Sequence, residues 1–158
     1  MKHARLLALL AGLALATGVH AGAADQVRAT HAWIRVLPGA LPAGGYVTLE
    51  NHGDQPVALT GARSTAYAEV MLHHSSTEGG VSRMAMVDSL SIPAHGTAVL
   101  APGGYHLMLM KPAAAVLPGH QVQLQLQFDD GSSLPVDFLA RPANALGDEA
   151  PAPAHSGH

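Results

Sequence analysis

Histidine and methionine residues cluster in three short segments in the middle of the chain. Residues 70–74, 83–86 and 105–110 together hold five of the six methionines, and the sixth is Met1. A core that uses methionine as filler scatters it among other apolar residues. Thioether and imidazole groups form a soft to borderline ligand set, and the metal that it suits best is Cu(I). The sequence has no cysteine, so thiolate ligands are excluded.

Strand alternation sorts these side chains onto faces, because residues two apart on a strand point the same way. The residues that share a face within their segments are Met71 with His73, Met84 with Met86, and His106 with Met108 and Met110. His74 has the opposite parity to His73, so we expect it not to bind the same ion. Three strands can then offer two imidazoles and two thioethers to one ion. Mg²⁺ and Ca²⁺ prefer oxygen, and zinc does not select thioethers. The alternative is a methionine-rich surface that binds another protein.

The elements that must position these residues are predicted to be strands, because the dominant hydrophobic period is two. Residues 121–128 read QVQLQLQF, which is typical of an antiparallel strand with one wet face. A turn at 129–132 and a partner strand at 134–139 predict a hairpin. The other predicted strands are 27–36, 45–51, 57–64, 69–74, 83–87, 97–100 and 106–111. Glycine- and proline-rich breakers separate them, and no sustained helical period follows the N-terminal segment, so we predict an all-β Greek-key sandwich or barrel.

The N-terminus is predicted to be a signal peptide that covers residues 1–21. A short basic start precedes an apolar run at 6–19, which is too short to span a bilayer comfortably. Ala21 ends a small-x-small cleavage pattern. We therefore expect an exported, periplasmic protein without stable membrane insertion.

The mature chain divides into a predicted domain at 22–140 and a disordered, Ala- and Pro-rich tail at 141–158. The tail contains His155 and His158. Removal of the signal peptide takes away Lys2 and Arg5, which leaves six basic and eleven acidic side chains. No basic run is present, so nucleic acid is not expected as a partner.

The spacing of the clustered residues resembles that of the periplasmic copper chaperones of the PCuAC type. That family is marked by a histidine, ten residues, a methionine, twenty-one residues and a His-x-Met group. The residues that match each step are His73, Met84, His106 and Met108. The flanking sequence is also similar, in AWIR at 32–35, GYVTLEN at 45–51 and PGGYHLM at 102–108. The resemblance covers about residues 27–139.

The resemblance implies a cupredoxin-like β-sandwich that binds one Cu(I) near the surface through those four residues. It also implies delivery of copper to cytochrome c oxidase, with an oxidase subunit or its assembly factor as the partner. Met86 and Met110 lie two residues beyond predicted ligands and are secondary candidates, either as an apolar collar or as alternative ligands. His155 and His158 are candidates for a weak second site for Cu(II) in the tail, although we do not expect a well-defined one.

Two other functions are alternative interpretations of the same residues. Copper storage or resistance would employ the same ligands and differ only in the destination of the metal. A cupredoxin electron carrier is less favoured, because blue-copper sites need a cysteine thiolate that this chain lacks. No nucleophile with an adjacent base stands out, so we do not expect an enzyme. We expect a monomer without metal.

Overall fold

A computed structural model of the chain describes residues 21–148. These residues form one short helix, α1 (Ala23–Gln26), and ten strands. The strands are β1 (Val27–Arg35), β2 (Ala43–Asn51), β3 (Val57–Arg63), β4 (Tyr67–Glu78), β5 (Val81–Met86), β6 (Leu90–Ile92), β7 (Thr97–Leu100), β8 (Tyr105–Pro112), β9 (Gln121–Phe128) and β10 (Ser133–Arg141). The all-β prediction is confirmed. The predicted signal peptide lies outside the described residues except for Ala21, and no helix between 21 and 148 is long and apolar enough to cross a membrane.

The strands form one continuous hydrogen-bonded path. Their order is β5-β4-β8-β2-β1-β10-β9-β3-β6, and β7 pairs with β2. All pairs are antiparallel except the one between β1 and β10, which is parallel. In space, β3 also contacts β4 and β6 contacts β7, so the path curls back around a shared core.

Alternation along the central strands buries one face of each in this core, whereas the end strand β5 is exposed throughout. The buried residues of β9 are Val122, Leu124, Leu126 and Phe128, and the glutamines between them are exposed or half-buried. In β8, Leu107 and Leu109 are fully buried. Burial of one such side chain contributes about 1.5–3 kcal/mol relative to leaving it exposed. The core therefore fixes which way β8 faces, and with it the direction of the residues between the leucines.

The β4–β5 hairpin is longer than the sequence predicts. β4 pairs with β8 from Tyr67 to His74, but it pairs with β5 as far as Glu78. Gly79 and Gly80 both have positive φ angles, of 56° and 77°, at the turn that joins the two strands. Glycine adopts this conformation without steric cost, so the pair allows the tight reversal. The end of the hairpin extends past the neighbouring strand.

The last described residues differ from the prediction of a disordered tail that begins at Arg141. β10 includes that residue, and the segment that follows packs onto the sheet. Ala145 is buried against Trp33 and Tyr46, and its carbonyl oxygen accepts a 2.8 Å hydrogen bond from Arg35 Nη2. Composition does not reveal this contact, because the segment contributes only a methyl group and a backbone carbonyl. The rest of the predicted tail, residues 149–158, lies outside the described residues.

Candidate metal centre

Strand pairing brings two histidines and a methionine side by side. His73 of β4 lies directly opposite His106 of β8 and, on its other side, directly opposite Met86 of β5. Directly opposite residues of antiparallel strands have Cβ atoms about 4.5–5.5 Å apart. The two imidazole centroids are 5.7 Å apart, with one ring edge towards the other ring. A single bound ion can therefore contact both rings.

The remaining methionines surround this pair on the same face. Met108 follows His106 by two residues and lies directly opposite Met71. Met84 lies two residues from Met86 on β5 and is therefore a diagonal neighbour of His73. Diagonal neighbours are about 7–8 Å apart, which a long thioether side chain can bridge. The structure thus brings together all four residues of the predicted ligand set, with Met71 and Met86 beside them.

Exposure divides the centre into two sides. His106 is 5% exposed, whereas Met84 and Met86 are 55% and 65% exposed. Met71 and Met108 are half-buried. An ion at this place would meet buried imidazole on one side and accessible thioether on the other.

The hydrogen bonding of the histidines leaves two ring nitrogens without partners. Nδ1 of His106 lies 3.1 Å from the carbonyl oxygen of Gly104. A carbonyl only accepts, so Nδ1 carries the proton and Nε2 keeps a free lone pair. Nε2 of His106 and Nδ1 of His73 are both buried and have no hydrogen-bond partner. An unsatisfied buried polar atom costs about 1–3 kcal/mol, and metal coordination removes that cost. The donor set therefore fits a soft to borderline metal ion.

Burial also favours the neutral form of the His73 ring. Desolvation lowers the pKa of His73, and the neighbouring His106 lowers it further. Both effects favour the neutral imidazole, which is the form that binds metal.

Aromatic residues that the sequence analysis did not assign to the site extend this row across β2 and β1. The ring of Tyr46 lies 6.5 Å from that of His106, and the ring of Trp33 lies 4.6 Å from Tyr46. The guanidinium carbon of Arg35 lies 5.3 Å from the Trp33 ring and 5.6 Å from the Tyr46 ring. A Cβ on Gly44 would lie only 2.6 Å from the Tyr46 hydroxyl oxygen, so glycine leaves room for this ring. We call Trp33, Arg35 and Tyr46 the aromatic wall. These residues belong to the AWIR and GYVTLEN segments of the sequence, but only strand pairing places the two segments beside the histidines.

The other predicted residues take different positions. His74 points to the opposite face, as its parity predicts, and its ring packs against that of Tyr105 with centroids 4.4 Å apart and the planes tilted by 42°. Met110 shares the face of the candidate ligands but lies one row beyond Met108, opposite Glu69. His155 and His158 lie outside the described residues. Between residues 21 and 148, no three His, Cys, Asp or Glu side chains form a group that could hold a metal.

The sandwich and its His/Met patch define a PCuAC-type domain, and solved structures show the same fold. The apo PCuAC domain of PmoF2 has a TM-score of 0.62 at 24% identity, over 77% of this chain and 94% of that one. The copper-bound PCuAC domain from PmoF2 has a TM-score of 0.63 at 23% identity, over 78% of this chain and 98% of that one. The Cu(I) form of DR1885 from Deinococcus radiodurans is 32% identical, with a TM-score of 0.59 over 79% of this chain and 83% of that one. The predicted cupredoxin-like fold and PCuAC resemblance are confirmed.

The chain belongs to the LpqE-like family of putative lipoproteins, whose sequence pattern matches residues 27–140. The putative lipoprotein Lxx21020 of Leifsonia xyli subsp. xyli (strain CTCB07) is 35% identical over 114 residues. That alignment covers 72% of this chain and 68% of the relative.

Proposed function

We propose that this protein is an exported, periplasmic copper metallochaperone, not an enzyme. It holds one Cu(I) through His73, Met84, His106 and Met108 and passes it to an acceptor by ligand exchange. The observation that carries the proposal is the pair of buried, unpartnered nitrogens, Nε2 of His106 and Nδ1 of His73, beside a methionine patch. The Cu(I) form of the related DR1885 supports the choice of metal.

The charge and softness of the ligands favour Cu(I) over other ions. Two neutral imidazoles and two neutral thioethers add no negative charge, so the site suits a monovalent ion better than a divalent one. Thioether sulfur selects Cu(I), whereas Mg²⁺ and Ca²⁺ take oxygen ligands. Bound Cu(I) accepts lone pairs from two to four such donors, and it exchanges them without any change of oxidation state.

Access to the copper is provided on the hairpin side. β5 is an end strand of the sheet, and all six of its residues are exposed. A ligand from an acceptor can replace the Met84 thioether while His73 and His106 still hold the ion. Stepwise exchange of this kind avoids releasing free copper. For the acceptor we propose a copper-binding subunit of cytochrome c oxidase or its assembly factor.

A titration tests the site directly. The variant His106→Ala/Met108→Ala and the wild type are titrated with Cu(I) against a competing chelator. Loss of a single group that only orients a ligand costs 10- to 100-fold in metal affinity, so loss of two ligands is expected to cost at least about 100-fold. His74→Ala is the matched control, because His74 adjoins a ligand but faces the other way. Undiminished affinity in the double variant refutes the site.

A second experiment tests delivery. A strain that lacks the protein is assayed for oxidase activity under copper limitation, with and without a plasmid that carries the wild type or the double variant. We expect reduced oxidase activity that only the wild type restores. Normal oxidase activity combined with copper sensitivity would instead indicate storage or resistance.

A further inference from the structure

Two neighbouring strands alone provide a complete set of two imidazoles and two thioethers. His73 of β4 lies opposite His106 of β8, and Met71 of β4 lies opposite Met108 of β8. The two pairs occupy adjacent rows of the same face. The four residues therefore mark the corners of a rectangle whose short side is one cross-strand spacing and whose long side is two residues of strand, about 7 Å.

The orientation of the rectangle is fixed by the core. Leu72 and Leu107 lie between the two rows, opposite each other, and are 2% and 0% exposed. Because side chains alternate along a strand, their burial turns Met71 and Met108 towards the face that carries the histidines. Met71 is therefore held on that face by a buried neighbour on its own strand and by one on the adjacent strand.

Met84 reaches the histidines in a different manner. It lies diagonally from His73 on the end strand, and it is 55% exposed where Met71 is half-buried. His73, His106 and Met108 are common to a set completed by Met84 and to one completed by Met71. The chain thus contains a second thioether in a position to take the place of the first.

We infer that Met71 is an internal thioether ligand that binds Cu(I) when Met84 is released. The inference rests on the proposed function and deepens it. In the exchange, a lone pair of the Met71 sulfur forms one Cu–S bond as the Met84 sulfur gives up another, and no electron or proton is transferred. The copper keeps two imidazoles and two thioethers while an acceptor displaces the exposed methionine.

The surroundings of Met71 support a thioether role at this position. The next residue of β4 on the same face, Glu69, forms an ion pair with Lys111. The ion pair with Lys111 disfavours this carboxylate as a competing hard ligand. Met110 lies opposite Glu69, in a row without an imidazole, and is therefore the natural control.

Leucine substitutions separate the two thioethers. We compare Met71→Leu, Met84→Leu and Met110→Leu with the double variant Met71→Leu/Met84→Leu and the control pair Met84→Leu/Met110→Leu in the full chain. Leucine keeps the apolar volume, so folding, checked by circular dichroism, is expected to persist. The readouts are Cu(I) affinity against a chelator and the number of sulfur neighbours of copper from X-ray absorption.

If Met71 substitutes for Met84, Met84→Leu keeps two sulfur neighbours and loses little affinity. The Met71/Met84 double variant keeps one sulfur and loses about tenfold more affinity than the two single losses multiplied together, a coupling within the range for residues that share a site. Multiplicative losses, or the same extra loss in the Met84/Met110 pair, overturn the inference and leave the proposed function standing. A wild type that binds no Cu(I) overturns the proposed function itself.

Discussion

The two sides of the candidate copper site are built in opposite ways. His106 lies on β8, which has β4 and β2 as neighbours, and the Tyr46 ring stands beside it. Met84 and Met86 lie on β5, at the end of the sheet, where every residue is exposed. Buried, doubly paired strands open rarely, whereas exposed end strands open with little free energy. The imidazole side is thus suited to holding an ion and the methionine side to exchanging it.

This difference shows how one small sheet can meet two conflicting demands. Tight holding needs ligands fixed in position, and transfer needs ligands that a partner can reach and displace. Placement of the displaceable thioether of Met84 on the exposed end strand, next to the paired strands that carry His73, His106 and Met108, separates the demands without a moving domain.

The largest expected effect is on folding stability at the aromatic wall. Trp33→Ala removes a 4% exposed indole and its contacts with Tyr46, and it should lower the free energy of unfolding by about 3–5 kcal/mol. Met86→Ala, on the exposed strand, should change it by no more than about 0.5 kcal/mol. Urea unfolding followed by circular dichroism measures both. Equal losses would show that the two sides do not differ in how much packing they contribute to the fold.

The next effect is on metal affinity. His106→Ala should weaken Cu(I) binding by about 100-fold or more, equivalent to about 2.7 kcal/mol. Met84→Ala should weaken it by less than about tenfold, because other thioethers lie close by. Chelator competition gives both values. A larger loss for Met84→Ala would reverse the assignment of the holding side.

A smaller effect tests the space that the wall requires. In Gly44→Ala, the new Cβ would lie 2.6 Å from the Tyr46 hydroxyl oxygen, so the ring must move. Such overpacking costs about 1–3 kcal/mol. Gly44→Ala/Tyr46→Leu, which removes the clashing ring atoms, should lose less than the two single variants added together. If the losses of unfolding free energy in the two single variants simply add in the double variant, the Tyr46 ring does not depend on the space left by Gly44.

The smallest expected effect is on folding stability at Asp130, which lies outside both sides of the candidate copper site and serves as a reference. Asp130 accepts hydrogen bonds from Ser132 and from the backbone N–H of Ala23, and these bonds lower its pKa. The lowered pKa means that the carboxylate stabilises the fold above its unfolded pKa and that this stabilisation is lost as the pH falls through the folded value. Because the group is exposed, Asp130→Asn should cost only about 0.5 kcal/mol at neutral pH.

The loss of unfolding free energy in Asp130→Asn should vanish in acid, because the wild-type carboxyl is also protonated there. The Cu(I) affinity of this variant at neutral pH should be unchanged. Unfolding curves at neutral and acidic pH show the first result, and a chelator titration shows the second. A change in copper affinity would mean that remote stability, not local structure, controls the site.

Periodicity in the sequence is enough to predict nine of the ten strands and the faces of the candidate ligands. The alternation of β9 is plain in its letters, and the parity of His73 and His74 gave their opposite directions correctly. β6 escaped prediction because three residues are too short to display a period. Burial patterns of this kind are local, and local patterns are readable from sequence.

The register between strands, that is, which residues lie opposite each other, could not be predicted from periodicity. The spacing in the sequence places Met84 in the predicted ligand set and leaves Met86 as a secondary candidate. In the structure, however, Met86 lies directly opposite His73, and Met71 lies directly opposite Met108. Which residues face each other depends on turn geometry and on the pairing of distant strands, and a shift of one residue would reverse every face. The packing of Ala145 on Trp33 was hidden for a related reason, since it joins segments far apart in the chain.

The place of Trp33 has an optical consequence. It is the one tryptophan of the chain, and its ring lies 4.6 Å from Tyr46, which in turn lies 6.5 Å from His106. All indole emission of the unlabelled protein therefore originates two rings away from the imidazole pair. Fluorescence intensity recorded during a titration or a transfer reaction reports on this corner of the molecule without any background from other indoles.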